Sequence, residues 1–287
     1  TMLYISATLL RLLLLTIPCH AHILYADEVS ETRNELGLYR NLEEVLNVFK
    51  RDESNISKEI LESFQQKCLY MEDPVLPMGK RKPFIVVEGN QKSSKHSIAL
   101  KLANLLDGRY ITRLAPCLRR FSSKLLGSSP LMQPFHFLSL YASAFEARVQ
   151  MTLNRAVVIS GYWTEQLSSA ISRSFQAGAL PPVSADFFRY PDDLMQPDLH
   201  VFLSFSEALY TTTPAQPVYY KIDNVRRQFS LKKRKLELYR HLQSELPILI
   251  HELQRVSNHV TASQLVEQIR ANLSGTRDVH QGRSIDY

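Results

Sequence analysis

Pro83-Phe84-Ile85-Val86-Val87-Glu88-Gly89-Asn90-Gln91-Lys92-Ser93-Ser94-Lys95-His96-Ser97 is the stretch on which the fold of this chain turns. Phe84, Ile85, Val86 and Val87 form a short apolar run of the kind that makes a buried strand, residues 88–94 are a polar loop, and Ile98, Leu102, Leu105 and Leu106 recur at helical spacing. A strand, a polar loop that opens on Gly89, a lysine six residues after that glycine and then a helix is the layout of a phosphate-binding loop, G-x-x-x-x-G-K-[ST]. In that motif backbone N–H groups and a helix N-terminus cradle phosphates, the lysine reaches the β- and γ-phosphates, and the hydroxyl holds Mg²⁺. Gly89 and Lys95 match the motif, whereas Ser94 stands at the second glycine and His96 at the hydroxyl position.

Outward from this stretch the alternation continues. A helical segment over 134–154 is followed by the apolar run Ala156-Val157-Val158-Ile159, a further run covers Leu199–Phe205, and a long basic helix over 224–245 precedes Pro247-Ile248-Leu249-Ile250. Leu265, Val266, Ile269 and Leu273 mark a closing helix. Strand-like runs separated by helices predict an α/β fold, a parallel sheet with crossover helices on its faces. Before Pro83 the pattern changes: Leu38, Leu42, Val45, Leu46 and Phe49 recur at helical spacing, 58–70 is a second helical candidate, and Pro74, Pro77 and Gly79 mark a linker. The organisation read from this is a targeting segment over 1–26, a helical extension and linker over 27–82, the α/β domain over 83–274 and a tail over 275–287.

Composition narrows the function classes. Of 287 residues 45% are hydrophobic and 22% charged, which excludes wholesale disorder and collagen-like architecture. Only 9 glycines occur, so a function that needs several of them in one loop has few places to live. Lys and Arg number 34 against 28 Asp and Glu, a net charge of +6 that suits anionic partners without selecting one. Cys19, Cys68 and Cys117 form no C-x-x-C pair, so neither a disulfide framework nor structural zinc is expected. Lys232-Lys233-Arg234-Lys235, with Arg226 and Arg227 before it, reads as a solvated helix face whose Leu231, Leu236, Leu238 and Leu242 supply core contacts. Stacking aromatics are sparse around that run, and no specific nucleic-acid partner is expected.

The first residues carry two competing signals. Residues 3–17 are mostly apolar, with Arg11 the single cation before Arg33 and no acid before Asp27. An apolar run followed by Cys19-His20-Ala21 fits a secretory signal, whereas a mitochondrial presequence should be richer in arginine. Arg11, Pro18, His20 and His22 interrupt the run, so no stable transmembrane span is expected. Sequons at Asn55-Ile56-Ser57 and Asn272-Leu273-Ser274 permit glycosylation if the chain is secreted.

Four segments, in this order and spacing, carry a resemblance: Pro83-Phe84-Ile85-Val86-Val87-Glu88-Gly89, Tyr162-Trp163, Leu180-Pro181-Pro182, and Tyr190-Pro191-Asp192-Asp193-Leu194-Met195-Gln196-Pro197-Asp198-Leu199. Through them 83–274, about two thirds of the chain, resembles the thymidylate kinase family, most closely its mitochondrial UMP-CMP kinase branch. The resemblance implies a P-loop NTPase-type parallel sheet flanked by helices, ATP as donor and a pyrimidine nucleoside monophosphate as acceptor. It places the donor nucleotide at Gly89, Lys92, Ser93, Ser94, Lys95, His96 and Ser97, and the acceptor beside Glu88, Tyr141, Tyr162 and Trp163. It also implies a mitochondrial location, with the secretory route as the alternative, and a homodimer.

The same resemblance exposes departures. Ser94 adds a Cβ where backbone must approach phosphate, and His96 offers a nitrogen where Mg²⁺ prefers a hard oxygen. Ser97 is next door but faces about 100° around the helix. Where the family follows its next strand with Asp-Arg-Tyr, this chain has Ser160-Gly161-Tyr162-Trp163, and residues 190–220, which include the family's lid, hold no Lys or Arg. The expectation is a thymidylate-kinase-like nucleotide-binding protein with nucleoside monophosphate kinase activity lost or strongly reduced, weak ATP binding with little Mg²⁺ dependence, and no assigned catalytic residue or metal ligand. Two alternatives stand beside it: an active divergent kinase using cations such as Arg113, Arg119 or Arg120, and an interaction protein with an unidentified protein partner.

Overall fold

The computed structural model describes residues 33, 36–76, 81–125, 129–175, 178–205, 219–254 and 256–281. Two helices come first, α1 (Leu42–Arg51) and α2 (Asn55–Ser63), the latter extended by a π-helical turn, Phe64–Cys68. Five strands then build one all-parallel sheet in the order β2-β3-β1-β4-β5: β1 (Phe84–Gly89), β2 (Gly108–Thr112), β3 (Ala156–Ser160), β4 (Leu199–Phe205) and β5 (Ile248–Leu253). The crossovers are α3 (Lys92–Leu105), α4 (Met132–Thr152), α5 (Trp163–Ser174) and α6 (Tyr219–Leu242), and α7 (Asn258–Gln281) follows β5. This is the expected α/β architecture, with β1 central and both faces covered.

Strand alternation divides the core between the two faces. Phe84 and Val86 of β1, with Val157 and Ile159 of β3, pack under Phe135 and Leu138 of α4. Ile85, Val87, Val158 and Val201 face Ile98 and Leu102 of α3 and Leu265 and Ile269 of α7. Val45 and Phe49 of α1 and Ile60 and Phe64 at the end of α2 belong to the first cluster, so the helical extension shares a core with the sheet. Its entry is fixed from the kinase-like segment: Asp193 accepts the Leu42 N–H at 2.8 Å, beside the Asn41 side chain that caps the Glu44 N–H at 2.9 Å.

Three features differ from expectation. Cys68 and Cys117, 49 residues apart, are joined in a disulfide. Sequence spacing carried no sign of it, because the pair is created by packing of the π-helical turn against the loop after β2. β2 and α5 were not foreseen: Gly108-Arg109-Tyr110-Ile111-Thr112 is an edge strand with one buried side chain, and α5 is rich in serine. The basic helix spans Tyr219–Leu242 rather than 224–245. Residues 1–26, residues 206–218 within the lid stretch, and 282–287 of the tail lie outside the described residues. No described helix is long and apolar enough to cross a membrane.

Candidate functional site

β1 runs to Gly89 and α3 begins at Lys92, so only Asn90 and Gln91 lie between them. The expected polar loop over 88–94 is therefore much shorter than its motif. Lys92, Ser93 and Ser94 wind into the first helical turn, the Lys95 N–H donates to the Gln91 carbonyl at 3.0 Å, and the Ser94 hydroxyl donates to Gln91 Oε1 at 3.1 Å. Glycine costs a helix about 1 kcal/mol relative to alanine, and Ser94 in its place reduces that penalty. A two-residue turn cannot wrap a phosphate in successive backbone N–H groups as the longer loop does. Gly89 is still required, because a Cβ there would sit 2.7 Å from the Leu203 carbonyl oxygen of the neighbouring strand.

Lys95 is 7% exposed, and its Nζ meets Glu165 Oε1 of α5 at 2.5 Å. The partner is held tightly: Gly161, at φ +83°, would place a Cβ 1.9 Å from Glu165 Oε2. Only glycine leaves that carboxylate its space. Glu165 Oε2 is buried without a hydrogen-bond partner, so among the described residues the carboxylate's hydrogen bond comes from Lys95. Lys235 of α6 approaches from the other side and donates to Ser169 Oγ at 2.9 Å. Burial lowers its pKa and the nearby Glu165 charge opposes that shift.

Glu88 continues the Phe84–Val86 side of β1 and is fully buried. Its Oε1 accepts the N–H groups of Tyr162 at 2.9 Å and Glu165 at 3.0 Å, and its Oε2 accepts the hydroxyls of Thr164 at 2.6 Å and Tyr239 at 2.5 Å. The N-cap residue Tyr162 makes no side-chain cap of its own, so a carboxylate from β1 caps α5 instead. Desolvation raises the Glu88 pKa, and the Glu165 charge adds to it. Next to this group His200 bonds Thr164 Oγ1 through Nδ1 at 3.1 Å, and burial holds its pKa down to about 3, so the ring is neutral.

The remaining candidates are placed as follows. His96 is exposed, and its Nδ1 pairs with the Tyr110 hydroxyl at 2.6 Å; that hydroxyl also bonds Ser160 Oγ at 2.6 Å. Two positions that differ from the family pattern are thus joined to each other by a tyrosine of β2. The side chain of Ser93 lies outside those described, and Ser97 is partly buried in α3. Tyr162 and Trp163 are wholly buried: Tyr162 donates to the Met195 carbonyl at 3.0 Å, and Trp163 packs on Tyr190 with ring centroids 4.6 Å apart. Tyr141 donates to Asp193 at 2.6 Å, and burial followed by that hydrogen bond raises its pKa. These rings wall the core rather than an open cleft.

The basic run is also less solvated than its sequence suggests. Arg234 is 8% exposed and donates to the Phe175 carbonyl at 2.7 Å, while Leu238 and Leu242 are buried as expected. The Arg226 and Arg227 side chains lie outside those described. Arg120 lies over the Phe121 ring at 4.6 Å. Sequence reasoning missed Glu165, Lys235 and Tyr239, whose neighbours come from distant strands and helices. The one local signal for Glu165 was an acid in the first turn of a helix.

At three positions the site departs from the P-loop pattern. The lysine is neutralised by Glu165, the helix takes up the loop, and the residue at the hydroxyl position is a histidine bonded to Tyr110. Among the described residues no group of three or more His, Cys, Asp or Glu side chains is placed to hold a metal ion. The chain matches no protein-family model and no curated protein. Solved structures to which it is similar include the thymidylate kinase of Candida albicans, with 17% identity over 67% of this chain and 92% of that one, at a TM-score of 0.44. The thymidylate kinase of Ehrlichia chaffeensis is similar at 11% identity over 67% of this chain and 100% of that one, at a TM-score of 0.45.

Proposed function

We propose that this chain is a thymidylate-kinase-like protein that has lost nucleoside monophosphate kinase turnover and retains at most weak affinity for ATP. The observation that carries the reading is the Lys95–Glu165 ion pair, 2.5 Å long between side chains that are 9% and 16% exposed. To reach a γ-phosphate, Lys95 must leave Glu165 and strand a carboxylate in a poorly hydrated place. Breaking a buried pair in this way costs about 3–5 kcal/mol, which lowers affinity by roughly 10²–10⁴. Phosphoryl transfer depends almost wholly on positioning and charge neutralisation, and neither the Ser160-Gly161 pair nor the 190–220 stretch, which has no Lys or Arg, supplies a cation for it. Titration with ATP, with and without Mg²⁺, tests the reading. Weak binding that Mg²⁺ barely alters is expected; micromolar, strictly Mg²⁺-dependent binding would favour the active divergent kinase.

For location, we propose the secretory route over the mitochondrial one. The Cys68–Cys117 disulfide supports an oxidising compartment, and Asn55 of the first sequon is exposed at the start of α2. Glycan on Asn55 of the protein made in its own cells is the expected result, and a mature chain recovered from mitochondria with free thiols would overturn it.

A further inference from the structure

Beside β2, the edge strand, lies a cavity of about 390 Å³. Its walls come from four places that the sequence keeps apart: the π-helical turn with Lys67 and Cys68, β2 with Arg109 and Ile111, the loop after β2 with Cys117 and Arg119, and α4 with Ala142 and Glu146. The Cys68–Cys117 disulfide fastens the first wall to the third. The volume falls in the range of about 300–1,000 Å³ usual for small-molecule sites.

Its electrostatics are one-sided. Lys67, Arg109 and Arg119 are all exposed, and none has a carboxylate partner among the described residues. The single acid of the lining, Glu146, already accepts from Tyr70 at 3.0 Å and from Gln150 at 2.9 Å. Three positive charges against one negative, 3 − 1, leave the lining at +2. The rest of the lining is largely apolar. The Tyr110 side chain belongs to the α3 face of the sheet, where its hydroxyl is shared between Ser160 and His96, and the apolar wall of the cavity is formed by Ile111, Ala115 and Ala142 beside the disulfide.

We propose that this cavity binds a small organic phosphate or sulfate ester that carries a flat ring. The ester oxygens meet Arg109, Arg119 and Lys67, whose charged N–H groups match tetrahedral oxyanions, and the ring lies against Ile111, Ala142 and the disulfide. The site uses none of the residues at the phosphate-loop ligand positions, and Lys67 and Cys68 precede the segment that resembles the kinase family. The proposal therefore stands apart from the reading of lost turnover.

Calorimetric titration of the full chain with 4-methylumbelliferyl phosphate, 4-methylumbelliferyl sulfate, neutral 7-methoxy-4-methylcoumarin and inorganic phosphate tests it. At least one ester is expected to bind at one per chain and at least about tenfold more tightly than the neutral coumarin, and the preference between the two esters identifies the anion. The double variant Arg109→Gln/Arg119→Gln should weaken that ester at least about tenfold, while Lys50→Gln, an exposed lysine of α1 outside the lining, should leave it unchanged. Raising salt from about 50 to about 500 mM on the unaltered protein gives an independent arm, and should weaken the ester and spare the coumarin. Equal affinity for ester and coumarin, indifference to salt or to the arginine pair, inorganic phosphate binding as tightly as the ester, or an equal loss of binding in Lys50→Gln would each overturn the proposal.

Discussion

Lys95 and the trio Lys67, Arg109 and Arg119 are cations placed in opposite circumstances. Lys95 stands where a nucleotide-binding motif puts its lysine, yet it is 7% exposed and its charge is taken up by Glu165. The trio belongs to no motif, yet each member is exposed, lines a cavity beside β2 and has no carboxylate partner among the described residues. A motif position fixes which side chain is present; the neighbours from other elements decide whether its charge is available. The phosphate-loop end of this molecule is closed by its own carboxylates, and the sheet edge is open.

The largest effect that separates the two regions should come from the disulfide. Removing it in Cys68→Ala/Cys117→Ala frees a 49-residue separation, and loop-closure entropy puts the loss at about 4 kcal/mol. Urea denaturation measures it. The edge cavity should loosen while the Lys95–Glu165 pair stays intact; a loss below about 1 kcal/mol would mean that packing alone holds the two walls.

Glu88 governs the closed region. Glu88→Ala leaves the Tyr162 and Glu165 N–H groups and two hydroxyls without their acceptor, and should cost about 3 kcal/mol. Glu88→Gln sharpens the point through pH. The folded carboxyl titrates above its ordinary value of 4.5, so the folded state binds the proton more tightly than the unfolded one. Its contribution to stability is then full below the ordinary carboxylate range and is lost as pH rises through the folded value. Stability of the unaltered chain relative to Glu88→Gln should fall as pH rises above about 4.5, and a difference that rises or stays flat would contradict this placement of the charge.

A smaller effect is expected at Gly161. Alanine there combines φ +83° with a Cβ 1.9 Å from Glu165 Oε2, and should cost about 1–3 kcal/mol as the carboxylate is pushed off Lys95. A melt unchanged from that of the unaltered chain would show that Glu165 is loosely held and that the contrast between closed and open cations is overstated.

Much of the fold was legible because hydrophobic periodicity is local. Phe84 to Val87, Ala156 to Ile159 and Leu199–Phe205 announce buried parallel strands, and the helix over 134–154 is found at Met132–Thr152. β2 escaped because an edge strand needs few buried side chains, and only Ile111 of its five residues is buried. The candidate site was legible only in outline. Lys95, Glu88 and His96 could be named from the sequence, but the partners that decide their chemistry, Glu165, Tyr239 and Tyr110, lie 70, 151 and 14 residues from them respectively. Cys68 and Cys117 show the same limit, since tertiary packing alone brings them together. Ser94 is the instructive intermediate case: its identity announced that the loop was altered, while the early helix start at Lys92 became evident only with the backbone in view.

The most direct test of the closed phosphate-loop end is transfer of radiolabelled γ-phosphate from Mg²⁺–ATP to dTMP, UMP, CMP and their deoxy counterparts by the unaltered chain. Groups that act as one electrostatic unit are lost together, so label transfer no faster than a protein-free control is expected with every acceptor. Turnover above about 1 s⁻¹ on any of them, within the ordinary kinase range of about 1–100 s⁻¹, would show that Lys95 leaves Glu165 during the reaction, contradicting its assignment as a neutralised lysine.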